Sequence, residues 1–270
     1  RSPSRGLGDV YKRQLLEKYG YTDLKPRDTP AVAGEQLTKA SPDELLDDAE
    51  AKLFREQLGA IMYLATMTRP DLSYITGALA KYMQHPGRQH QEAIKRVFRY
   101  VSGTREYGIT YRSGDATVLV GYSDADWSNA ENSKSVSGLV FTLHGAAVSW
   151  RAKSQTSVSL STAEAELMAA ARAAQEALYL RHLLRDLGYE QMAPTVIFKD
   201  SQACISMSKH PTQRERCRHI DSRDNFISDQ VEKGNVELQY KKTDDMTADI
   251  MTKALPRLAH QRHTRTLMGM

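Results

Sequence analysis

The chain has 270 residues, 40% of them hydrophobic and 26% charged, with a formal net charge of +4. That suffices for two ordinary domains with buried cores. No apolar run approaches the roughly 18 residues of a membrane span, and no secretory leader is evident, so no membrane partner is expected.

The two cysteines, Cys204 and Cys217, offer neither a disulfide framework nor the spacing of a zinc site. Both are expected to be reduced thiols of an intracellular protein. The distribution of charge says more than its sum. Lys253–Met270 holds four Lys or Arg and no acid, and Lys209–Arg223 holds five basic residues against two acids. Such runs suit a phosphate backbone, and equally a solvated surface or a basic tail.

Residues 1–14 look like non-native adapter sequence and are set aside from fold reasoning. Residues 15–40, with Pro26, Pro30 and Gly34, read as a linker. Ser41-Pro42-Asp43-Glu44 has the form of a helix start: capping Ser, Pro at the first position, Glu three residues on. Leu53, Leu58, Ile61, Met62 and Leu64 follow at roughly helical spacing. A second helical pattern runs through Leu72, Ile75, Leu79 and Met83, and a third covers about His90–Val101. Residues 41–107 are therefore expected to form an all-helical subdomain.

The pattern changes after Gly108. Ile109–Tyr111 is a short β-forming lead-in, Val118–Tyr122 the first clear strand, and Val136–Leu143 and Ala147–Arg151 the next two, closely joined. A long helix is expected over about Thr162–Leu187, then a strand at Thr195–Phe198, a short helix from Ser201, a helix at His219–Glu232, a strand at Val236–Tyr240 and a final helix at Met246–Leu255. The order βββαβααβα implies an α/β fold, one mixed sheet with helices on its faces.

Acids stand at the ends of these elements, where open sheets place their sites. Asp124 closes the first strand, Glu166 lies in the first turns of the long helix, Asp200 closes the fourth strand and Asp249 lies in the last helix. Taken singly, each has a plainer reading: Asp124 a turn residue, Asp200 a helix cap, Asp249 a surface acid. Glu164 already serves the capping box Ser161-Thr-Ala-Glu164, which leaves Glu166 as the better ligand candidate. Gathered together, carboxylates repel one another. Hard divalent cations relieve that repulsion through oxygen ligands, and a pair of them can promote phosphodiester hydrolysis.

Six segments carry a resemblance: Y-S-D-A-D-W-S (122–128), S-W-R-A-K-S-Q (149–155), L-S-T-A-E-A-E-L-M-A-A (160–170), K-D-S-Q-A (199–203), R-H-I-D-S-R (218–223) and A-D-I-M-T-K-A-L-P (248–256). In that order they resemble the ribonuclease H region of copia-type long-terminal-repeat retrotransposon Pol polyproteins. G-A-I-M-Y-L-A-T-M-T-R-P-D-L-S-Y (59–74), Y-M-Q-H-P-G-R-Q-H (82–90) and R-V-F-R-Y-V-S-G-T (96–104) resemble the end of the same polyprotein's reverse transcriptase.

The resemblance implies a C-terminal piece of the polyprotein: a ribonuclease H-like five-stranded mixed sheet over residues 108–257, preceded by the helical subdomain and followed by a basic tail over residues 258–270. It implies an endonuclease cutting the RNA strand of RNA–DNA hybrids with two Mg²⁺ ions, or Mn²⁺, held by Asp124, Glu166, Asp200 and Asp249. Partners would be the hybrid and the rest of the reverse transcriptase polyprotein, in a cytoplasmic virus-like particle or the nucleus. E-L-M-A-A, beginning at Glu166, favours Glu166 over Glu164, and Asp245 is the fallback for Asp249. Gln202, after Asp200 and Ser201, is expected in the minor groove of the hybrid, where a 2′-hydroxyl marks RNA.

Arg151 and Lys153, beside Trp150, are candidates for the DNA strand's phosphates. Ser159, Ser161 and Thr162 are candidates at the long helix's N-terminus, although capping alone accounts for Ser161. Two departures stand out. Cellular ribonucleases H carry a mobile His before the last acid; Lys241-Lys-Thr-Asp-Asp245 has none, and Lys241 or Lys242 is the substitute considered. The polymerase's Asp-Asp strand motif is missing too, so this chain is not expected to polymerise. His219 and Asp221 belong to a motif whose role the residues do not reveal. The competing reading is a catalytically inactive nucleic-acid-binding or assembly remnant; a DNA-cutting nuclease or integrase fits the motifs less well.

Overall fold

The computed structural model describes residues 7–114, 117–127, 134–159, 161–209 and 222–270. It divides into two compact units. One comprises the residues up to Ile109 together with Lys253–Met268, the other Thr110–Thr252 with Gly269–Met270. Among the described residues no helix is long and apolar enough to cross a membrane.

The first unit is helical: α1 (Leu7–Lys18), α2 (Asp48–Met67), α3 (Ser73–Ala80), α4 (Arg88–Gly103) and, from the far end of the chain, α9 (Arg257–Met268). Its core gathers Leu16, Phe54, Leu58, Ile61, Leu64, Leu72, Leu79, Ile94, Val97 and Phe98. Each such side chain contributes about 1.5–3 kcal/mol by leaving water.

Three expectations change here. Ser41-Pro42-Asp43-Glu44 makes only a 3₁₀ turn, with the Glu44 carboxylate accepting from Ser41. The long helix starts instead at a second capping box, where Asp47 caps Glu50 N–H at 2.8 Å and Glu50 answers Asp47 N–H. The inward stripe is thereby Phe54, Leu58, Ile61 and Leu64, while Leu53 and Met62 are exposed.

The stretch set aside at the start is helical from Leu7, and the expected linker begins inside that helix, because Leu15 and Leu16 insert into the core. Lys12 is buried, its ammonium donating to the carbonyls of Arg105 and Tyr107. The residues read as a basic tail form α9, whose His260, His263, Thr264, Leu267 and Met268 are buried. Its basic side chains sit on the other face, as an amphipathic helix requires.

A charged knot lies inside this unit. Arg69 and Asp71, both fully buried, pair through two bonds, Nε to Oδ1 at 2.9 Å and Nη2 to Oδ2 at 2.8 Å. Tyr100 donates to Asp71 at 2.7 Å, and Arg69 also donates to Thr104 O and Oγ1. Burial alone would raise the Asp71 carboxyl; the charge and hydrogen bonds of Arg69 outweigh it and hold Asp71 below the ordinary carboxylate range. A depressed acid contributes stability that is present above its unfolded value and lost as pH falls through the folded one.

We therefore predict that Asp71→Asn costs about 3–5 kcal/mol at neutral pH, because Arg69 is left buried without its partner, and that the penalty shrinks in acid. Urea unfolding at both pH values checks this. A loss below about 1 kcal/mol, the level of an exposed pair, would contradict it.

The second unit is an α/β fold, a mixed five-stranded sheet flanked by helices. Its strands are β1 (Val120–Asp126), β2 (Val136–Leu143), β3 (Ala146–Ser154), β4 (Thr195–Lys199) and β5 (Val236–Tyr240), in the spatial order β3-β2-β1-β4-β5. β1, β2 and β3 form the expected antiparallel meander; β4 and β5 join in parallel. The helices are α5 (Thr162–Asp186), α6 (Gln202–Lys209), α7 (Ser222–Glu232) and α8 (Asp249–Thr252). The Ile109–Tyr111 lead-in is not a strand; Tyr111 instead donates its hydroxyl to Ala147 O.

Residues of opposite parity in the strands face opposite helices. Leu139, Phe141 and Ile197 pack against Leu167, Ala170, Ala173 and Ala174 of α5. On the other face lies α8, close against Gly138. Of the predicted final helix over Met246–Leu255 only the single turn of α8 forms, and a 3₁₀ turn (Thr243–Asp245) precedes it. Cys217, His219 and Asp221, and most of the basic run Lys209–Arg223, lie outside the described residues.

Candidate metal centre

The site is built where the β1–β4 pairing ends. β1 pairs with β4 only as far as Tyr122↔Phe198, but it continues along β2 to Asp126↔Val136. Asp124 thus does not close β1 as expected. It stands inside the strand, opposite Gly138, just past its parallel partner. Asp200 follows directly on the last residue of β4.

Glu166 is brought to them by α5. Small residues at the contact, Ala125 of β1 with Ala165 and Ala169 of α5, let helix and strand approach closely. The helix start is tied down as well: Ser161 Oγ caps Glu164 N–H. Gln155 donates to Ser137 Oγ and to Ala165 O, both at 2.9 Å, linking β2 to the first turn of α5.

Ligand oxygens of Asp124, Glu166 and Asp200 all lie within 4.8 Å of one another. Asp124 and Glu166 are 3% and 4% exposed, so water does little to separate their charges. Burial raises the Glu166 carboxyl above its ordinary value, Asp124 and Asp200 push the same way, and the Lys199 ammonium opposes them. All three acids offer hard oxygen donors, the set that suits Mg²⁺ or Mn²⁺.

Asp249, the fourth expected acid, is buried at the first position of α8 but lies outside this group. Its helix nevertheless reaches the site, because Thr252 Oγ1 donates to Asp124 Oδ2 at 2.5 Å while lying 3.2 Å from Asp249 O. Asp245, the fallback, is exposed.

Several residues near the acids carried no expectation. Lys199 pairs with Glu166 at 2.5 Å. Thr243 donates to Asp200 Oδ2 at 3.0 Å. Gly138 leaves room for α8: a Cβ there would meet Thr252 Cγ2 at 2.7 Å, Met251 Cβ at 2.8 Å and Ala248 O at 2.9 Å. Of these, Gly138 carried a readable signal, since an isolated Gly inside a strand marks close approach of another backbone.

The chain is 34% identical over 253 residues to the retrovirus-related Pol polyprotein from transposon TNT 1-94 of Nicotiana tabacum, a match covering 92% of this chain and 19% of that polyprotein. The chain belongs to the copia-type retrotransposon Pol polyprotein family. It spans about a fifth of that relative's length. It is also 47% identical over 124 residues to secreted RxLR effector protein 161 of Plasmopara viticola, covering 46% of this chain and 87% of that protein. No family model matches. Among solved structures, the N-terminal RNase H domain of a Mycobacterium tuberculosis protein, solved as a maltose-binding-protein fusion, aligns with 56% of this chain and 99% of that one. Identity there is 14% and the TM-score 0.36.

Around this Pol-family site the remaining expected residues separate by role. Arg151 and Lys153 are exposed on edge strand β3, and Gln202, Ser161 and Thr162 are exposed at the starts of α6 and α5. Ser159 is instead buried, donating to Gln155 Oε1 at 2.5 Å, so it braces the loop and is not presented to a phosphate. The Lys241 ammonium lies over the rings of Phe198, at 4.2 Å, and Tyr122, at 5.4 Å. Lys242 is exposed.

Proposed function

We propose that this chain is a metal-dependent endonuclease that hydrolyses the RNA strand of RNA–DNA hybrids during retrotransposon reverse transcription. The observation that carries the reading is the convergence of Asp124, Glu166 and Asp200 from three separate elements to within 4.8 Å. These acids would hold Mg²⁺ or Mn²⁺, with Asp249 completing the set from α8. Bound divalent ions supply charge neutralisation and Lewis acidity to phosphodiester hydrolysis.

The protein's own part is positional. Asp124 and Asp200 are fixed by the sheet, Glu166 by the helix contact, and Thr252 and Thr243 orient the Asp124 and Asp200 carboxylates through their hydroxyls. Water attacks phosphorus in line, the bond to the 3′ oxygen breaks and that oxygen takes a proton, leaving a 3′-hydroxyl and a 5′-phosphate. Gln202 would contact the minor groove, while Arg151, Lys153, Ser161 and Thr162 would contact phosphates. The chain would work beside the remainder of the reverse transcriptase polyprotein, inside a cytoplasmic virus-like particle or the nucleus, and would not polymerise.

One observation favours a second reading, an inactive nucleic-acid-binding remnant: Glu166 already has a cationic partner in Lys199. A labelled RNA–DNA hybrid, duplex RNA and duplex DNA, each with Mg²⁺ and then Mn²⁺, separate the two. The nuclease reading expects cleavage of the hybrid alone. Tight hybrid binding without cleavage in either metal would replace it with the second.

A further inference from the structure

Lys199 is the last residue of β4 and is fully buried. It stands at the same parity as Thr195 and Ile197, so its side chain enters the layer between the sheet and α5. There its ammonium meets Glu166 Oε2 at 2.5 Å, and donates to Ser123 O at 3.2 Å, Glu166 O at 3.3 Å and Ser123 Oγ at 3.5 Å. These partners belong to, or directly precede, two of the three clustered acids, and Lys199 itself directly precedes the third. The other oxygen of Glu166 accepts from Ala125 N–H at 3.4 Å. A buried charge is retained only when it is paired and hydrogen-bonded, and this ammonium is both.

We propose that Lys199 is a positioning residue that serves as a built-in cation: it fixes the Glu166 carboxylate and makes the three-acid site bind divalent ions more weakly than its carboxylates alone would. The inference rests on the reading of these acids as a metal centre. It follows from charge and place. A divalent ion entering among Asp124, Glu166 and Asp200 must share Glu166 with an ammonium that the surrounding carbonyls hold in position. In a dry site that repulsion is weakly screened. In exchange, the site keeps its geometry without an ion, because the ammonium offsets part of the repulsion among the acids.

The test is Mn²⁺ titration by calorimetry on the full chain and on Lys199→Met, which keeps length and apolar volume but removes the charge. The proposal expects the variant to bind Mn²⁺ roughly tenfold or more tightly than the wild type. It also expects a lower melting temperature in EDTA and a larger upward shift on adding Mn²⁺. Unchanged or weaker Mn²⁺ binding by folded Lys199→Met would overturn it while leaving the metal centre standing. No Mn²⁺ binding by either protein would defeat the metal centre and this proposal together. Should Lys199→Met fail to fold even with Mn²⁺, the double variant Glu166→Gln/Lys199→Met decides. Recovery of the fold supports a charge role, and continued failure assigns Lys199 to packing and overturns the proposal.

Discussion

Asp124→Asn should abolish hybrid cleavage while leaving the fold intact. The substitution keeps the shape of the side chain, and its amide oxygen can still accept from Thr252 Oγ1, as Asp124 Oδ2 does. What it removes is a negative charge at the centre of the three-acid group. Loss of a ligand that anchors transition-state charge stabilisation removes several kcal/mol, which corresponds to roughly 10³-fold or more in rate. Stability in EDTA should be unchanged or slightly higher, since one of three mutually repelling carboxylates has gone. The check is single-turnover cleavage beside urea unfolding of both proteins. Full activity in a folded Asp124→Asn would rule out Asp124 as a ligand.

The second large effect comes from a residue with no side chain. Gly138→Ala places a methyl where Thr252, Met251 and the Ala248 carbonyl already lie at 2.7–2.9 Å. Gly138 does not adopt a positive φ, so the strand backbone tolerates the change and the conflict is steric. The short α8 must move outward, carrying Asp249 and the Thr252 hydroxyl away from Asp124. Overpacking of this kind costs about 1–3 kcal/mol of stability, and a displacement of about 1 Å at the site costs roughly 10²-fold in rate. Gly59→Ala is the control: it lies in α2 with nothing within 4 Å of the added methyl, so activity should not change. Equal cleavage by Gly138→Ala and the control would show that α8 takes no part in positioning the site.

These two positions mark what could and could not be seen in the chain itself. The order of strands and helices was legible because period-two and helical patterns alternate cleanly from Val118 onward. Asp200 was legible because a strand ends beside it, and Glu166 because the capping box accounted for Glu164. Asp124 was found through its motif, although β1 runs on past it; local pattern cannot say that β2 prolongs a strand after its parallel partner has stopped.

Lys199 was not legible. Thr195-Val-Ile-Phe-Lys199 is apolar at both parities after Thr195, so nothing fixes which face the lysine takes. Thr252 and Thr243 act across 128 and 43 residues of sequence, distances at which only the folded sheet brings hydroxyl and carboxylate together. In the helical unit the error was of another kind. Two capping boxes lie six residues apart, at Ser41 and Asp47, and the first, with its proline, looked like the helix start although the second begins the helix. α9 reads as a tail because its basic residues stand out in the sequence, whereas its buried face shows only once the helix has formed.

If the clustered acids form a nuclease site for hybrids, the ends of the products will show it. The wild-type chain is incubated with an RNA–DNA hybrid labelled in its RNA strand, in Mg²⁺ and in EDTA. RNA fragments with 5′-phosphate and 3′-hydroxyl ends are expected in Mg²⁺, with an intact DNA strand, and no cleavage in EDTA. Cleavage that persists in EDTA, or fragments with 2′,3′-cyclic phosphate ends, would contradict it.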